Sequence, residues 1–285
     1  MNRLQQFLVS RFWDRTHAAG EYTTWPQEEV VRLRLNQRIT GSPHEWPMEW
    51  FARSVVTQPF RRAVSLACGE GALERDLMAK GLAEAVTGLD ISERSLELAR
   101  QRAAEAGYTN LHYEGGDLDA LQLEAGSFDA AFAHMALHHV RNLESCFDQL
   151  RSALNPNGIF YLEEYVGPSR HEWKRELLEA AEDAYADLPK AIRGRRRLTL
   201  PVDWRDPSEA VRSAEILPLL AERFDIRERR DYGGNLLSLI YPHLRLEGLE
   251  PQAREATLEQ LLAREDELLT EGVASFYTVV VAAPR

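Results

Sequence analysis

Cysteine is nearly absent from this 285-residue chain, which has only Cys68 and Cys146, far apart in apolar segments. A disulfide framework is excluded, and a reduced, cytoplasmic chain is expected. Long apolar runs are missing as well: nothing approaches the ~18 residues of a membrane span. The first ten residues hold Leu4, Phe7, Leu8 and Val9 with one arginine and no small-residue cleavage pattern, so no secretory leader is expected. Positive charge is in deficit, with 34 Lys and Arg against 45 Asp and Glu and a net charge of −11. Phosphate affinity draws on clustered Lys and Arg, so this balance argues against a general nucleic-acid surface. There is no internal repeat and no low-complexity linker. At 44% hydrophobic, the chain can bury a full core, most simply as one α/β domain with additions.

One absence is positional: none of the six tryptophans falls within residues 61–165. That block alternates apolar runs with helical patterns. Strands are expected at 62–67, 84–90, 111–115, 128–134 and 159–165. The clearest helices are 92–106, capped by Ser92 and stopped at Gly107, and 143–154, stopped by Asn155-Pro156-Asn157-Gly158. Strands separated by helices of this length imply right-handed crossovers and a doubly wound, mostly parallel sheet. Residues 1–60, rich in Trp and charge, read as a helical cap, with Pro26 opening one helix and 46–54 another. Their aromatics either pack the segment onto the core or wall a ligand. Residues 166–221 read as a helical insertion above the strand ends, with 171–188 helical and Asp206-Pro207-Ser208-Glu209 capping a helix through Leu220. Residues 222–285 supply two last strands, 224–230 and 275–282, for seven in all. Between them lies an amphipathic helix with Leu258, Leu261, Leu262, Leu268 and Leu269 on one face.

The chain is organised around Val64-Ser65-Leu66-Ala67-Cys68-Gly69-Glu70-Gly71. A buried strand, a tight turn that a ligand can approach, and a helix start follow one another there. About twenty residues on, a second apolar run ends on Asp90, the spacing that suits an adenosine whose ribose hydroxyls meet a carboxylate. Three readings stay open: a plain strand–helix turn, a dinucleotide, or another adenosine ligand. A dinucleotide turn wants a small residue where Glu74 stands, and Glu70 and Glu74 would repel a pyrophosphate. A cationic sulfonium such as that of S-adenosyl-L-methionine tolerates both acids. Ligands of such sheets bind beyond the carboxyl ends of the strands, which gathers Gly69–Gly71, Asp90, Gly116-Asp117, His134 and Glu163–Tyr165.

Residues 61–165 resemble the class I S-adenosylmethionine-dependent methyltransferase family, whose Rossmann-like sheet and cofactor this resemblance implies. Ala67-Cys68-Gly69-Glu70-Gly71 is similar to its first motif, Asp90 to its ribose acid, and Asp117 of Gly116-Asp117-Leu118 to its adenine acid. His134 with Leu137-His138-His139-Val140 resembles its fourth strand end, and Leu154 to Gly158 its turn before the fifth strand. Two positions depart from the pattern: Ser65 stands for an acid, and Ala67 for the first glycine. The flanks (36–43, 163–169 and 206–209) look similar to a bacterial small-molecule or glycan branch. The implied cofactor set is Ala67, Cys68, Gly69, Gly71, Asp90, Ile91, Asp117, Leu118 and His134.

Methyl transfer to a hydroxyl gains from a base within reach. His138, His139 and Glu164 are the candidates, with His134 and Tyr165 behind them. Capping or helix-start hydrogen bonding is the competing role for these histidines. No metal is expected, because the spacing of His134 and His138 makes a site only if both share a helix. The run Arg193-Gly194-Arg195-Arg196-Arg197 either meets an anionic acceptor or forms a solvated turn. The expected function is O-methylation of a small molecule or sugar. The alternatives are N- or C-methylation, another use of the cofactor, or a non-catalytic binding module. The expected partner is a small-molecule or glycan acceptor, with no nucleic acid or membrane, and a homodimer is left open.

Overall fold

The computed structural model describes Val9 and residues 24–285. Trp13, Phe7, Phe12 and Tyr22 lie outside the described residues.

Pro26 sits in a single 3-10 turn, Trp25–Gln27, and helix α1 follows at Glu29–Thr40, then α2 at Pro47–Ser54. The expected alternation then appears: β1 (Ala63–Leu66), α3 (Ala72–Ala79), β2 (Val86–Asp90), α4 (Glu93–Glu105), β3 (Leu111–Gly115), β4 (Phe128–His134), α5 (Leu143–Ala153) and β5 (Leu154–Tyr165). Ser92 Oγ accepts the Ser95 amide at 3.2 Å, as an N-cap should. β5 starts earlier than expected, because Leu154 already pairs with Phe128. The breakers Asn155–Gly158 bulge out before the ladder resumes at Ala130 and Ile159.

After β5 come α6 (Arg175–Ala186), α7 (Ile216–Arg223), β6 (Phe224–Gly233), α8 (Leu237–Ile240), α9 (Pro251–Thr270) and β7 (Tyr277–Pro284). The strands form one seven-stranded sheet in the order β3-β2-β1-β4-β5-β7-β6. β1 to β5 pair in parallel, and β7 inserts antiparallel between β5 and β6. The insertion corrects one expectation. Asp206 caps no helix: its Oδ1 accepts the Ser208 amide at 2.8 Å, closing a local turn, and α7 begins only after a 3-10 turn at Ser213–Glu215.

Each sheet face buries its own apolar layer. On one, Phe51 of α2 meets Tyr161 edge-on at 4.9 Å and Phe132 at 5.8 Å, with Leu35 and Ile39 of α1 and the α9 leucines alongside. On the other, Leu143, Phe147 and Leu150 of α5 and Ile216 and Leu220 of α7 cover Val64, Ala131 and Leu162. The apolar stripe of α9 contains an unexpected acid, since Glu265 is fully buried. Its carboxylate accepts the amides of Gly234, Leu236 and Leu237 at 3.0–3.1 Å and takes Arg38 Nη1 at 2.7 Å. One side chain thus joins α1, α8 and α9.

Removing one partner of a buried pair strands the other charge and, here, three amides. Glu265→Ala is expected to cost about 3–5 kcal/mol in chemical denaturation. A loss below about 1 kcal/mol, the range of an exposed ion pair, would show that the contact is incidental.

Candidate functional site

The carboxyl ends of β1 to β4 surround a cavity of about 230 Å³. Its floor is Ala67, Gly69, Asp90, Ile91, Asp117 and Leu118; Met135, Ala136, His139 and Val140 form a wall, and Ser208 and Val9 close it.

The glycine turn is held from below. Gly71 N donates to the Cys68 carbonyl at 3.0 Å, and Cys68 N to Leu89 O at 2.9 Å. Asp90 ties the turn to the next one, its two oxygens accepting the amides of Gly69 and Ser92 at 2.8 Å each. Ala67, Gly69 and Gly71 all have positive φ, at 48°, 53° and 75°. Ala67 therefore occupies a left-handed position that favours glycine. The two glycines differ in what surrounds them. A Cβ on Gly69 would meet nothing within 4 Å, whereas one on Gly71 would strike the Tyr113 hydroxyl and stand 2.9 Å from its Cζ. Open space over Gly69, beside the acid-bearing ends of β2 and β3, fits an adenosine ligand.

The acids that seemed to speak against a pyrophosphate do not line this cavity. Glu70 pairs with Arg102, and Glu74 is wholly buried beneath the turn. Burial raises the Glu74 carboxyl above its usual range, offset in part by Ser65. The reading thus rests on Gly69, Asp90 and Asp117, not on the charge of Glu70 and Glu74.

On the far wall, Glu164 is fully buried. Its Oε2 accepts the amides of Ala136 at 2.9 Å and Leu137 at 2.6 Å, while Oε1 takes the Tyr165 amide at 2.7 Å and stands 2.6 Å from His138 Nδ1. Burial opposes a charge on His138, but the Glu164 carboxylate outweighs it and raises that imidazole above its ordinary range. His139 lies against His138, ring centres 4.0 Å apart, and faces the cavity. Burial, then the neighbouring His138, push His139 well below the ordinary range.

Six of the nine expected cofactor residues line the cavity: Ala67, Gly69, Asp90, Ile91, Asp117 and Leu118. Cys68 and Gly71 shape the turn from behind, the Cys68 sulfur lying close over Gly88. His134 lines a second cavity of about 470 Å³ with Tyr161, Glu163, Tyr232, Arg32 and Trp46. Of the three candidate bases, only His139 reaches the first cavity; His138 and Glu164 are buried behind it. The basic run lines none of the cavities described, and its backbone is held where the Arg195 amide donates to the Tyr185 hydroxyl at 3.1 Å. Trp25 and Trp50 are buried against the core, whereas Trp46, half-exposed under Arg32, lines the second cavity. Sequence reasoning missed Met135 and Ser208 on the cavity, and Asp206 and Glu209 beside His139. The Asp206-to-Glu209 motif was visible, but it looked like a helix cap.

A doubly wound sheet in this order, with a glycine turn and two acids on one cavity, has the class I S-adenosyl-L-methionine-dependent methyltransferase fold. The chain belongs to the methyltransferase domain family, whose model matches residues 61–222. It is 28% identical over 166 residues to the malonyl-[acyl-carrier protein] O-methyltransferase of Enterobacter lignolyticus, covering 54% of this chain and 63% of that one. It is 33% identical over 135 residues to the ubiquinone/menaquinone biosynthesis C-methyltransferase of Methylobacterium nodulans, covering 46% and 53%. The chain spans less than two thirds of the length of the curated relatives it matches. Among solved structures, the phosphoethanolamine N-methyltransferase 2 of Haemonchus contortus with S-adenosyl-L-methionine shares the fold at a TM-score of 0.55 and 15% identity, over 97% of this chain and 60% of that one.

The glycine geometry separates binding from folding. Gly69→Ala is expected to weaken S-adenosyl-L-methionine binding at least ~10-fold in calorimetry while costing only the ~1 kcal/mol of a left-handed alanine. Gly71→Ala, which must also displace Tyr113, is expected to lower the melting temperature more than Gly69→Ala does. Equal melting losses would refute the distinction.

Glu74 makes a pH prediction. A carboxyl raised in the folded state stabilises fully below its unfolded value, and that stability is lost as pH rises through the folded value. Glu74→Gln is therefore expected to gain stability relative to the native chain at pH 8. The gain should shrink toward pH 4.5, the ordinary value. A pH-independent difference would show that Glu74 ionises normally.

Proposed function

We propose that the chain methylates a hydroxyl of a small molecule or sugar. The carrying observation is His139, the imidazole on the cavity wall, with Asp206, Ser208 and Glu209 around it. S-adenosyl-L-methionine supplies an electrophilic methyl on sulfur, and the remaining work is alignment and handling of the acceptor's proton. Ala67, Gly69, Asp90, Ile91, Asp117 and Leu118 hold the cofactor, with Asp90 at the ribose and Asp117 at the adenine. Cys68 and Gly71 fix the turn beneath it, and His134 stands at the neighbouring cavity.

Holding nucleophile and methyl in line contributes up to ~7–11 kcal/mol in well-oriented cases. His139 meets the acceptor hydroxyl, while Glu164 and His138 position that wall. The insertion 166–221 closes the acceptor side through Ser208, while the helices of 24–54 line the neighbouring cavity. The O-methylating relative supports an oxygen acceptor, and the C-methylating relative names the main rival.

Two measurements test this reading. Calorimetry is expected to show S-adenosyl-L-methionine binding that Asp90→Ala weakens strongly. Mass spectrometry of hydroxylated small molecules and sugars is expected to show a methylated oxygen, formed ~10²–10⁴-fold more slowly by His139→Ala. Methyl found only on carbon or nitrogen would overturn the oxygen assignment.

A further inference from the structure

Residues 206–211 lie over the turn that follows β4. Val211 N donates to the His138 carbonyl at 3.1 Å, and Arg170 Nη1 donates to the carbonyls of Asp206 and Pro207 at 3.3 and 3.1 Å. This docking carries two acids to the histidine pair. Among the described residues, ligand atoms of His138, His139 and Glu209 lie within 4.8 Å of one another. His139 Nδ1 stands 3.4 Å from Asp206 Oδ2 and 4.0 Å from Glu209 Oε2.

Two details distinguish this group from a casual cluster. Asp206 is 1% exposed, and its Oδ2 accepts no hydrogen bond from the described residues although Oδ1 accepts both the amide and the hydroxyl of Ser208. A buried carboxylate oxygen aimed at an imidazole nitrogen wants a cation or a proton there. The second detail is Glu164. By engaging His138 Nδ1 it leaves Nε2 as that ring's other nitrogen, the carboxylate–histidine arrangement that orients metal ligands.

We propose that His138, His139 and Glu209, with Asp206 beside them, form a site for one divalent first-row cation of the zinc type. Two imidazoles and a carboxylate suit such an ion, and three protein ligands leave a position open. That position faces the cofactor cavity, because His139 and Ser208 line it. Ligand atoms about 2.1 Å from a tetrahedral ion stand ~3.4 Å apart, so a closure of roughly an ångström and a half at most completes the set.

The role rests on the oxygen-acceptor reading above, with the ion held by His139, rather than the imidazole itself, meeting the hydroxyl. A hydroxyl oxygen on the open position loses its proton to solvent more easily. The oxygen–methyl bond forms as the sulfur–methyl bond breaks, with the electron pair staying on sulfur and the cation's charge unchanged.

The test uses the full chain stripped with a chelator, titrated calorimetrically with zinc chloride and with manganese chloride without cofactor or acceptor. One ion per chain at low-micromolar affinity or tighter is expected. Glu209→Gln is expected to weaken it ~10–100-fold while leaving the melting temperature and cofactor binding of the metal-free chain unchanged. No binding at several hundred micromolar, or equal affinity in Glu209→Gln, would overturn the site and leave a hydrogen-bonded cluster. Methyl transfer to oxygen that survives the chelator sinks the activating role but not the oxygen reading. A bound ion lost in Glu209→Gln with no methylated oxygen keeps the site and sinks the oxygen reading.

Discussion

The buried carboxylate of Glu164 is the constraint on which the far wall of the cavity depends. β4 ends at His134, and the chain must turn there without the hydrogen bonds of a ladder. Met135 takes a left-handed φ of 51°, an uncommon conformation for a side chain of its size. The two amides that follow, of Ala136 and Leu137, would be orphaned in the core if Glu164 did not accept them. The same carboxylate holds His138, whose ring packs on His139. A neutral isostere could accept some of these bonds but would not raise the His138 imidazole as the carboxylate does, so charge and geometry are fixed together.

Asp90 plays the matching part on the other side. It accepts backbone amides from both the glycine turn and the start of α4, bringing two strand ends into register before any ligand arrives. The parallel ladder sets the distance: Ala63 faces Val86 on one side and Ala130 on the other, so β1, β2 and β4 end at one level. The cavity is thus a product of strand register, with acids placed where the ladder stops.

How much of this was legible follows from the range of each interaction. The central strands, the Ser92 cap and the glycine turn are local: periodicity and a few side chains specify them, and they appear within a residue or two, apart from the early start of β5 at Leu154. Asp90 and Asp117 were legible because strand ends in this topology converge. Glu164 was visible as an acid near the rim but not as a core residue. Alternation puts either Glu163 or Glu164 inward, and only the pairing partners decide which. Glu265 was illegible for a related reason: a leucine stripe hides an acid whose partners are Arg38 and three amides from β6 to α8. The Asp206 motif carried a true local signal, a carboxylate turning back on its own backbone, but the same signal opens helices and closes turns.

The insertion therefore supplies more than cover. The strand ends supply the floor of the cavity, and the chain after β5 supplies Ser208 at its edge. Here the chain after β5 leaves the sheet, forms α6, and returns through residues without regular helix or strand to lay 206–211 on the β4 turn. An irregular segment can bring Asp206, Ser208 and Glu209 to one point because consecutive residues need not alternate faces there. It is held by arginines gripping its carbonyls and by its own Asp206–Ser208 turn. The sheet fixes the imidazoles and the insertion fixes the acids. The surroundings of His139 are therefore set by how those two parts dock, while the glycine turn and Asp90 opposite are held by the sheet and its own loops.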